Sequence, residues 1–125
     1  MSEKVIYPQG FPRRGEIYLV DFNRRKGQEI RKIRPAIVLS NDIQNQHDRY
    51  LTVAPVSSNE MEVIRPFEVL VRKTTGNGLD CDSKILLNQI HSIDYSARLR
   101  KYCGQLEEKL IKELERGIKL VLALE

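Results

Sequence analysis

Side chains that could catalyse a reaction are few in this sequence, and their spacing excludes several kinds of site. The two histidines, His47 and His91, stand far apart, and a lone histidine is more often a surface or satisfied residue than a catalyst. The two cysteines, Cys81 and Cys103, have neither Cys-x-x-Cys spacing nor a paired histidine. We therefore expect two reduced thiols and no zinc site.

Two short motifs lack residues that a phosphate-binding loop or a metal site would require. Gly76-Asn77-Gly78 lacks the Lys-Ser/Thr pair that follows the glycines of a phosphate-binding loop. Asp80-Cys81-Asp82 offers two carboxylates without a third ligand nearby, and a polar turn explains it as well. We expect no metal and no cofactor, so the reaction has to depend on Arg, Ser/Thr and Asp/Glu.

Cleavage of RNA is one reaction that these side chains can support. RNA carries its own nucleophile, the ribose 2′-hydroxyl, and the enzyme must deprotonate it, neutralise the phosphorane charge and protonate the leaving oxygen. A guanidinium presents forked donors that match phosphate oxygens, and a hydroxyl can hold a non-bridging oxygen. The basic stretch that ends at Arg34 offers the first group, and Ser57-Ser58, at the end of a predicted strand, offers the second.

The positive charge is concentrated in the first quarter of the chain. Of 21 basic and 17 acidic residues in all, residues 1–34 hold nine and four, which is +5, and residues 35–125 hold twelve and thirteen, which is −1. Residues 24–34 alone carry six positive charges and one negative charge. A basic run of this kind attracts polyanions, nucleic acid first, although a solvated loop on a basic protein has the same composition.

Short strands followed by one helix must position these residues. A chain of 125 residues, 41% of them apolar, suits a single domain, and residues 1–12 are predicted to form an irregular arm. Apolar runs and alternation predict strands over residues 15–22, from Pro35 to 40, and over 50–56 and 66–73, and a short buried strand around Ile85-Leu86-Leu87 within 83–90. Residues 92–98 predict a turn and a short helix, and residues 105–124 predict a terminal helix. This order predicts an α+β fold built on a small curled antiparallel sheet.

Neither a membrane span nor a secretory signal is predicted. The longest apolar runs, residues 36–39 and 120–124, are far shorter than the roughly 18–20 residues that cross a bilayer. Residues 1–10 have no apolar segment typical of a signal peptide. We therefore expect a cytoplasmic protein that does not bind membranes.

Several blocks of sequence, in the same order, resemble the MazF/PemK family of toxins. The likeness covers about residues 12–124 and is carried by the segments Arg14–Phe22, Lys26–Glu29, Arg34–Asp42, Thr52–Asn59 and Gly78–Ser83. The resemblance implies a curled sheet similar to an SH3-like barrel (CcdB/PemK-like) with a C-terminal helix. It also implies a homodimeric endoribonuclease of a toxin–antitoxin module, which cuts single-stranded mRNA at short sequences without a metal ion.

The resemblance also implies roles for three residues. The catalytic arginine of the family precedes the proline that opens a main strand, which is Arg34 here, and its catalytic hydroxyl corresponds to Ser57. Glu29 corresponds to a glutamate that acts as a general base or orders its loop. The usual Ser-Glu-Gln of that loop reads Gln28-Glu29-Ile30 here, so the resemblance does not define the target sequence. Ser57 replaces the more common threonine while keeping the hydroxyl.

Further residues are expected to bind RNA or to balance charge. Gln89 is either an RNA contact or a polar residue at the edge of the core. Phosphate contacts that give salt-dependent affinity rather than sequence choice are expected from a basic group, Arg24, Arg25, Lys26, Arg31 and Lys32.

Two other functions remain open at this point, together with the nature of the partner. A CcdB-like toxin of the same fold binds DNA gyrase and cleaves nothing, and a decayed family member would only bind RNA or its antitoxin. A basic groove that must be silenced favours an acidic, partly disordered antitoxin, which can wrap a large surface.

Overall fold

The computed structural model describes residues 4–22 and 33–125, which form seven strands and three helices. In chain order these are β1 (Glu16–Asp21), β2 (Ile33–Val38), α1 (Asp42–His47), β3 (Tyr50–Ser57), β4 (Glu68–Val71), β5 (Ser83–Leu86), β6 (His91–Asp94), α2 (Tyr95–Arg98), β7 (Leu99–Gln105) and α3 (Ile111–Val121). The predicted α+β class with an antiparallel sheet is confirmed. None of the helices in the described ranges has the length and hydropathy that crossing a membrane requires.

Strand β3 lies at the centre of the sheet and pairs with three other strands. The sheet order is β4-β5-β3-β2-β1-β7, and β6 pairs with the first half of β3. The last two residues of β3, Val56 and Ser57, pair instead with β5. One strand therefore connects most of the sheet and ends at Ser57.

Alternation along the strands divides the buried residues between two faces of the sheet. On one face, called the helix face here, Ile17, Ile37 and Val56 pack with residues of α3. The opposite face, called the open face, carries a second cluster that contains Tyr18, Val38 and other residues of β1, β2, β3 and β6. Because successive side chains of a strand point to opposite sides, a residue's parity along its strand fixes its face.

Helix α3 lies close against the helix face. Leu114 is fully buried there. A Cβ atom added to Gly117 would lie 2.3 Å from Cδ1 of Leu87, so a larger residue here would require the Leu87 side chain to shift. The predicted alternation of residues 66–73 is also confirmed, because Val69 and Val71 join the helix-face cluster.

Several predicted boundaries were wrong, and the strand predicted over residues 66–73 is shorter, Glu68–Val71. The predicted helix over residues 105–124 begins later, since β7 extends to Gln105 and a short 3₁₀ turn over Glu108–Leu110 precedes α3. Pro35 does not open β2, which begins two residues earlier at Ile33. Proline is tolerated there because Pro35 pairs only with Leu19 of β1, and the pairing of β2 with β3 begins at Ala36, so Pro35 lies at an edge of the sheet.

Candidate active site

A cleft of about 380 Å³ opens at the end of β3 and brings three of the predicted site residues together. Arg34 of β2, Ser57 of β3 and Gln89 of the turn after β5 all line it. Their positions in the sequence are up to 55 residues apart, so the sheet alone brings them together. The remaining lining residues are Asn59, Glu60, Arg65, Phe67, Glu68, Lys84, Leu86 and Asn88.

The strand register explains this placement. Arg34 pairs with Val20 of β1 and, by the alternation of β2, lies on the open face together with Ala36. Ser57 is the last residue of β3 and pairs with Lys84 of β5. Arg34 is partly buried, and Gln89 is exposed. The side chains of Arg34 and Ser57 therefore lie on the open face, Arg34 near the start of β2 and Ser57 at the end of β3.

The hydroxyl of Ser57 has a defined position. Its side chain is buried, and its Oγ accepts a hydrogen bond of 3.1 Å from the backbone N–H of Asn59. A serine hydroxyl has one proton to donate and two lone pairs to accept with. The turn therefore occupies an acceptor site of Oγ and leaves its O–H group able to donate to a phosphate oxygen.

Beside Ser57, Lys84 is buried in the wall of the cleft. Its side chain is 3% exposed, and its Nζ lies 3.1 Å from Oε1 of Glu68. Nζ also donates to the backbone carbonyls of Glu60 at 2.9 Å and Val63 at 3.0 Å. A buried ammonium with three oxygen partners has all its donors satisfied, so Lys84 connects β5 to the segment that follows β3.

The electrostatics of Glu68 follow from the same contacts. Burial alone would raise the pKa of its carboxyl group, but the backbone N–H of Arg65 and the ammonium of Lys84 favour the ionised form. The balance lowers the pKa of Glu68 below its ordinary value of 4.5. Glu68 is therefore an anion paired with Lys84 over the whole neutral range.

Sequence reasoning missed Lys84, Glu68 and Arg65. A lysine inside the otherwise buried strand Ser83–Leu86 was a signal, because a buried lysine needs a partner. Arg65 gave no such signal, since it lies in an irregular segment.

Some predicted site residues lie outside the described residues. These are Glu29, Arg24, Arg25, Lys26, Arg31 and Lys32. Of the two histidines, His47 is exposed at the end of α1, and the ring of His91 packs against Phe22 with centroids 5.1 Å apart. In the described ranges 4–22 and 33–125, no three His, Cys, Asp or Glu side chains are grouped so that they could hold a metal ion.

Comparison with known proteins identifies the family of this chain. Residues 13–122 match the model of the family described as PemK-like, MazF-like toxin of type II toxin–antitoxin system. The chain belongs to this family. The predicted resemblance to MazF/PemK toxins is therefore confirmed over most of the sequence.

Two relatives in the MazF/PemK family are named endoribonucleases. Endoribonuclease MazF9 of Mycobacterium tuberculosis is 40% identical over 90% of this chain and 97% of its own length. Endoribonuclease MazF of Staphylococcus saprophyticus is 34% identical over 90% of this chain and 92% of its own. Such identity over nearly the full length supports the endoribonuclease class for this protein and does not favour the gyrase-binding alternative.

Solved MazF structures share the fold. MazF from Deinococcus radiodurans superposes with a TM-score of 0.73 at 23% identity, covering 91% of this chain and 98% of that one. A mycobacterial endoribonuclease in complex with its cognate antitoxin superposes with a TM-score of 0.75 at 16% identity, covering 91% and 97%. At these identities the likeness concerns the fold alone.

Proposed function

We propose that this MazF/PemK-family endoribonuclease cleaves single-stranded mRNA at a short recognition sequence, without a metal ion, by attack of the 2′-hydroxyl on the adjacent phosphate. The observation that carries the proposal is the meeting of Arg34, Ser57 and Gln89 in one cleft. A guanidinium can bind a phosphate and stabilise the negative charge that develops on it during the reaction, and a hydroxyl can donate a hydrogen bond to one of its oxygens.

In this mechanism Arg34 stabilises the charge of the phosphorane or protonates the leaving oxygen, and Ser57 positions the phosphate. Attack of the 2′-oxygen forms a new P–O bond while the bond to the 5′-oxygen of the next nucleotide breaks. The 2′-hydroxyl proton passes to a base, and the 5′-oxygen takes up a proton. The first product is a 2′,3′-cyclic phosphate, because the nucleophile belongs to the same ribose.

Other groups complete the proposed site. Glu29 is the candidate general base, and the basic residues Arg24, Arg25, Lys26, Arg31 and Lys32 are candidate phosphate contacts along the strand. Gln89 reaches the cleft from the turn after β5, where its backbone N–H donates to the carbonyl of Leu86 at 3.1 Å. An amide side chain there can bind the edge of a base.

The proposed partners are an acidic antitoxin and a second copy of the chain. The solved mycobacterial endoribonuclease of the same fold is in complex with its cognate antitoxin. The net charge of +4 on this chain, concentrated in residues 1–34, favours an acidic segment as the partner. A cytoplasmic location and the homodimer follow from the family resemblance.

The test is an incubation of purified protein with a long single-stranded RNA in EDTA. Wild type is expected to release discrete fragments, and Arg34→Ala to cleave about 10²–10³ times more slowly, as for the loss of one donor to a developing oxyanion. Arg72→Ala is the matched control, because Arg72 is an exposed arginine paired with Asp82 at 3.3 Å and does not line the cleft.

Three outcomes of the RNA incubation are informative. Discrete fragments with cyclic phosphate ends support both the endonuclease and the 2′-hydroxyl mechanism. Cleavage that stops in EDTA and returns with a divalent ion would overturn the metal-independent mechanism. Equal rates for wild type and Arg34→Ala would overturn the role of Arg34.

A further inference from the structure

One wall of the cleft is formed by the segment between β3 and β4, residues 58–67, which is called the wall loop here. Asn59, Glu60, Arg65 and Phe67 of this loop line the same cleft as Gln89. None of them was predicted as a site residue from the sequence. The loop follows Ser57 directly, so its path is continuous with the proposed phosphate site.

Hydrogen bonds to the buried side chains of Lys84 and Glu68 fix the backbone of the wall loop. Glu60 adopts φ 51°, a left-handed conformation that is costly for a non-glycine residue, and its carbonyl accepts from Nζ of Lys84. The backbone N–H of Arg65 donates to Oε1 of Glu68 at 2.9 Å, and the N–H of Glu68 donates to the carbonyl of Arg65 at 2.9 Å. The buried pair of Lys84 and Glu68 therefore holds the loop at both of its ends.

The guanidinium of Arg65 is held much less tightly than its backbone. Its NH1 atom lies 3.7 Å from Oε2 of Glu68 and 3.8 Å from Oε2 of Glu60, and its side chain is 45% exposed. Glu68 is already neutralised by Lys84, and Glu60 is 70% exposed. The pair of Arg65 and Glu60 is long and exposed, and an ion pair of that kind contributes little to stability. A phosphate group, which offers more oxygen acceptors, can replace Glu60 at little cost.

We propose that Arg65 binds a phosphate of the RNA strand in the cleft, next to the scissile phosphate at Arg34 and Ser57, and that the Lys84–Glu68 pair is the positioning device for Arg65. The inference rests on the proposed function. RNA is the favoured ligand because a strand with one phosphate at Ser57 must carry further phosphates along the walls of the same cleft. A fixed backbone with an exposed guanidinium suits repeated binding and release of that strand.

The test measures binding and cleavage separately. The probe is a fluorescein-labelled single-stranded RNA that contains the mapped cut site with one 2′-deoxy sugar, so it binds without being cut. Arg65→Ala is expected to raise Kd about tenfold, as for the loss of one charge-assisted contact. It is also expected to reduce the slope of log affinity against log salt by about 0.7, the value for one phosphate contact on a single strand. With cleavable RNA, KM rises and kcat stays near that of wild type.

Matched variants decide whether the effect belongs to this position. Arg65→Lys is expected to keep the salt slope, and Arg72→Ala is expected to keep both Kd and slope. Lys84→Met, in protein shown to be folded by circular dichroism, is expected to weaken binding in the wild-type background and to add little to Arg65→Ala, because coupled residues are not additive. If Lys84→Met does not fold, the Arg65 variants still decide the phosphate contact.

Two outcomes would overturn the inference. One is an Arg65→Ala protein that matches Arg72→Ala in both Kd and salt slope. The other is an Arg65→Ala protein that binds RNA normally and loses affinity only for an acidic antitoxin peptide. Neither outcome touches the proposed function, which stands or falls with cleavage by wild type and its loss in Arg34→Ala.

Discussion

The two faces of the sheet use buried residues in different ways. The helix face is covered by α3, and the apolar cluster between them includes Ile37 and the fully buried Leu114. The open face carries a second apolar cluster, but it also buries two carboxylates, Glu16 beside the hydroxyl of Tyr18 at 2.9 Å and Glu68 beside Lys84 at 3.1 Å. A face sealed by a helix has no room for a substrate, whereas the uncovered end of the other face can be a cleft. Neighbouring residues of one strand therefore serve different purposes: one packs under α3, and the next lies on the face that carries the cleft.

The largest expected effect is on the helix face. Leu114→Ala should lower the free energy of unfolding by about 2–5 kcal/mol, because it removes a fully buried side chain and leaves a cavity. Leu120→Ala, on the same helix but 54% exposed, is the control and should change stability by about 0.5 kcal/mol or less. Urea denaturation measures both. Below the unfolding transition, Leu114→Ala should cleave RNA at the wild-type rate, and a specific loss of activity there would contradict the separation of the faces.

The next effect belongs to the cleft end of the open face. Ser57→Ala should lower kcat by about 10–100-fold, through loss of one hydrogen bond to a charged phosphate, which corresponds to about 1.4–2.7 kcal/mol. Ser57→Thr keeps the hydroxyl and should retain most activity. Ser58→Ala is the neighbouring control, since Ser58 is exposed and does not line the cleft. Single-turnover cleavage gives the rates, and equal rates for Ser57→Ala and Ser58→Ala would remove Ser57 from the mechanism.

The smallest expected effect is a change in the acid dependence of stability. The folded state lowers the pKa of Glu68, so its contribution is complete above the ordinary value of 4.5 and is lost as the pH falls through the folded-state value. Glu68→Gln should therefore flatten the acid side of the stability curve, whatever its effect at neutral pH. Unfolding free energies measured by urea across the acid range test this. An unchanged acid slope would mean that Lys84 does not hold Glu68 as an anion.

Much of this arrangement could be predicted from the sequence. The strands around Tyr18, Ile37 and Val53 have strong apolar runs, and the motif blocks identified Arg34 and Ser57. Strand β7 was missed because Arg100 and Lys101 break its apolar pattern, and its pairing with β1 contains irregularities.

The wall of the cleft could not be predicted in the same way. Lys84 lies 16 residues from Glu68 and 24 from Glu60, so its contacts are created by the sheet and not by any local pattern. Arg65 becomes a candidate only because Glu68 holds its backbone. The roles of Arg34, Ser57 and Gln89 stay predictions, and so do those of Glu29 and the basic residues of 24–32, which lie outside the described ranges.

The three-way pairing of β3 has a consequence for how the molecule opens. A strand bonded to β2, β5 and β6 along its length can expose its amides only when several strands separate together. We expect the amides of β3 to exchange with deuterium among the slowest in the protein, and those of residues 58–67 to exchange much faster through local fluctuations. Ser57 thus stays attached to the slowest-opening strand, while the wall loop, whose backbone is held by Lys84 and Glu68, exchanges through small local openings.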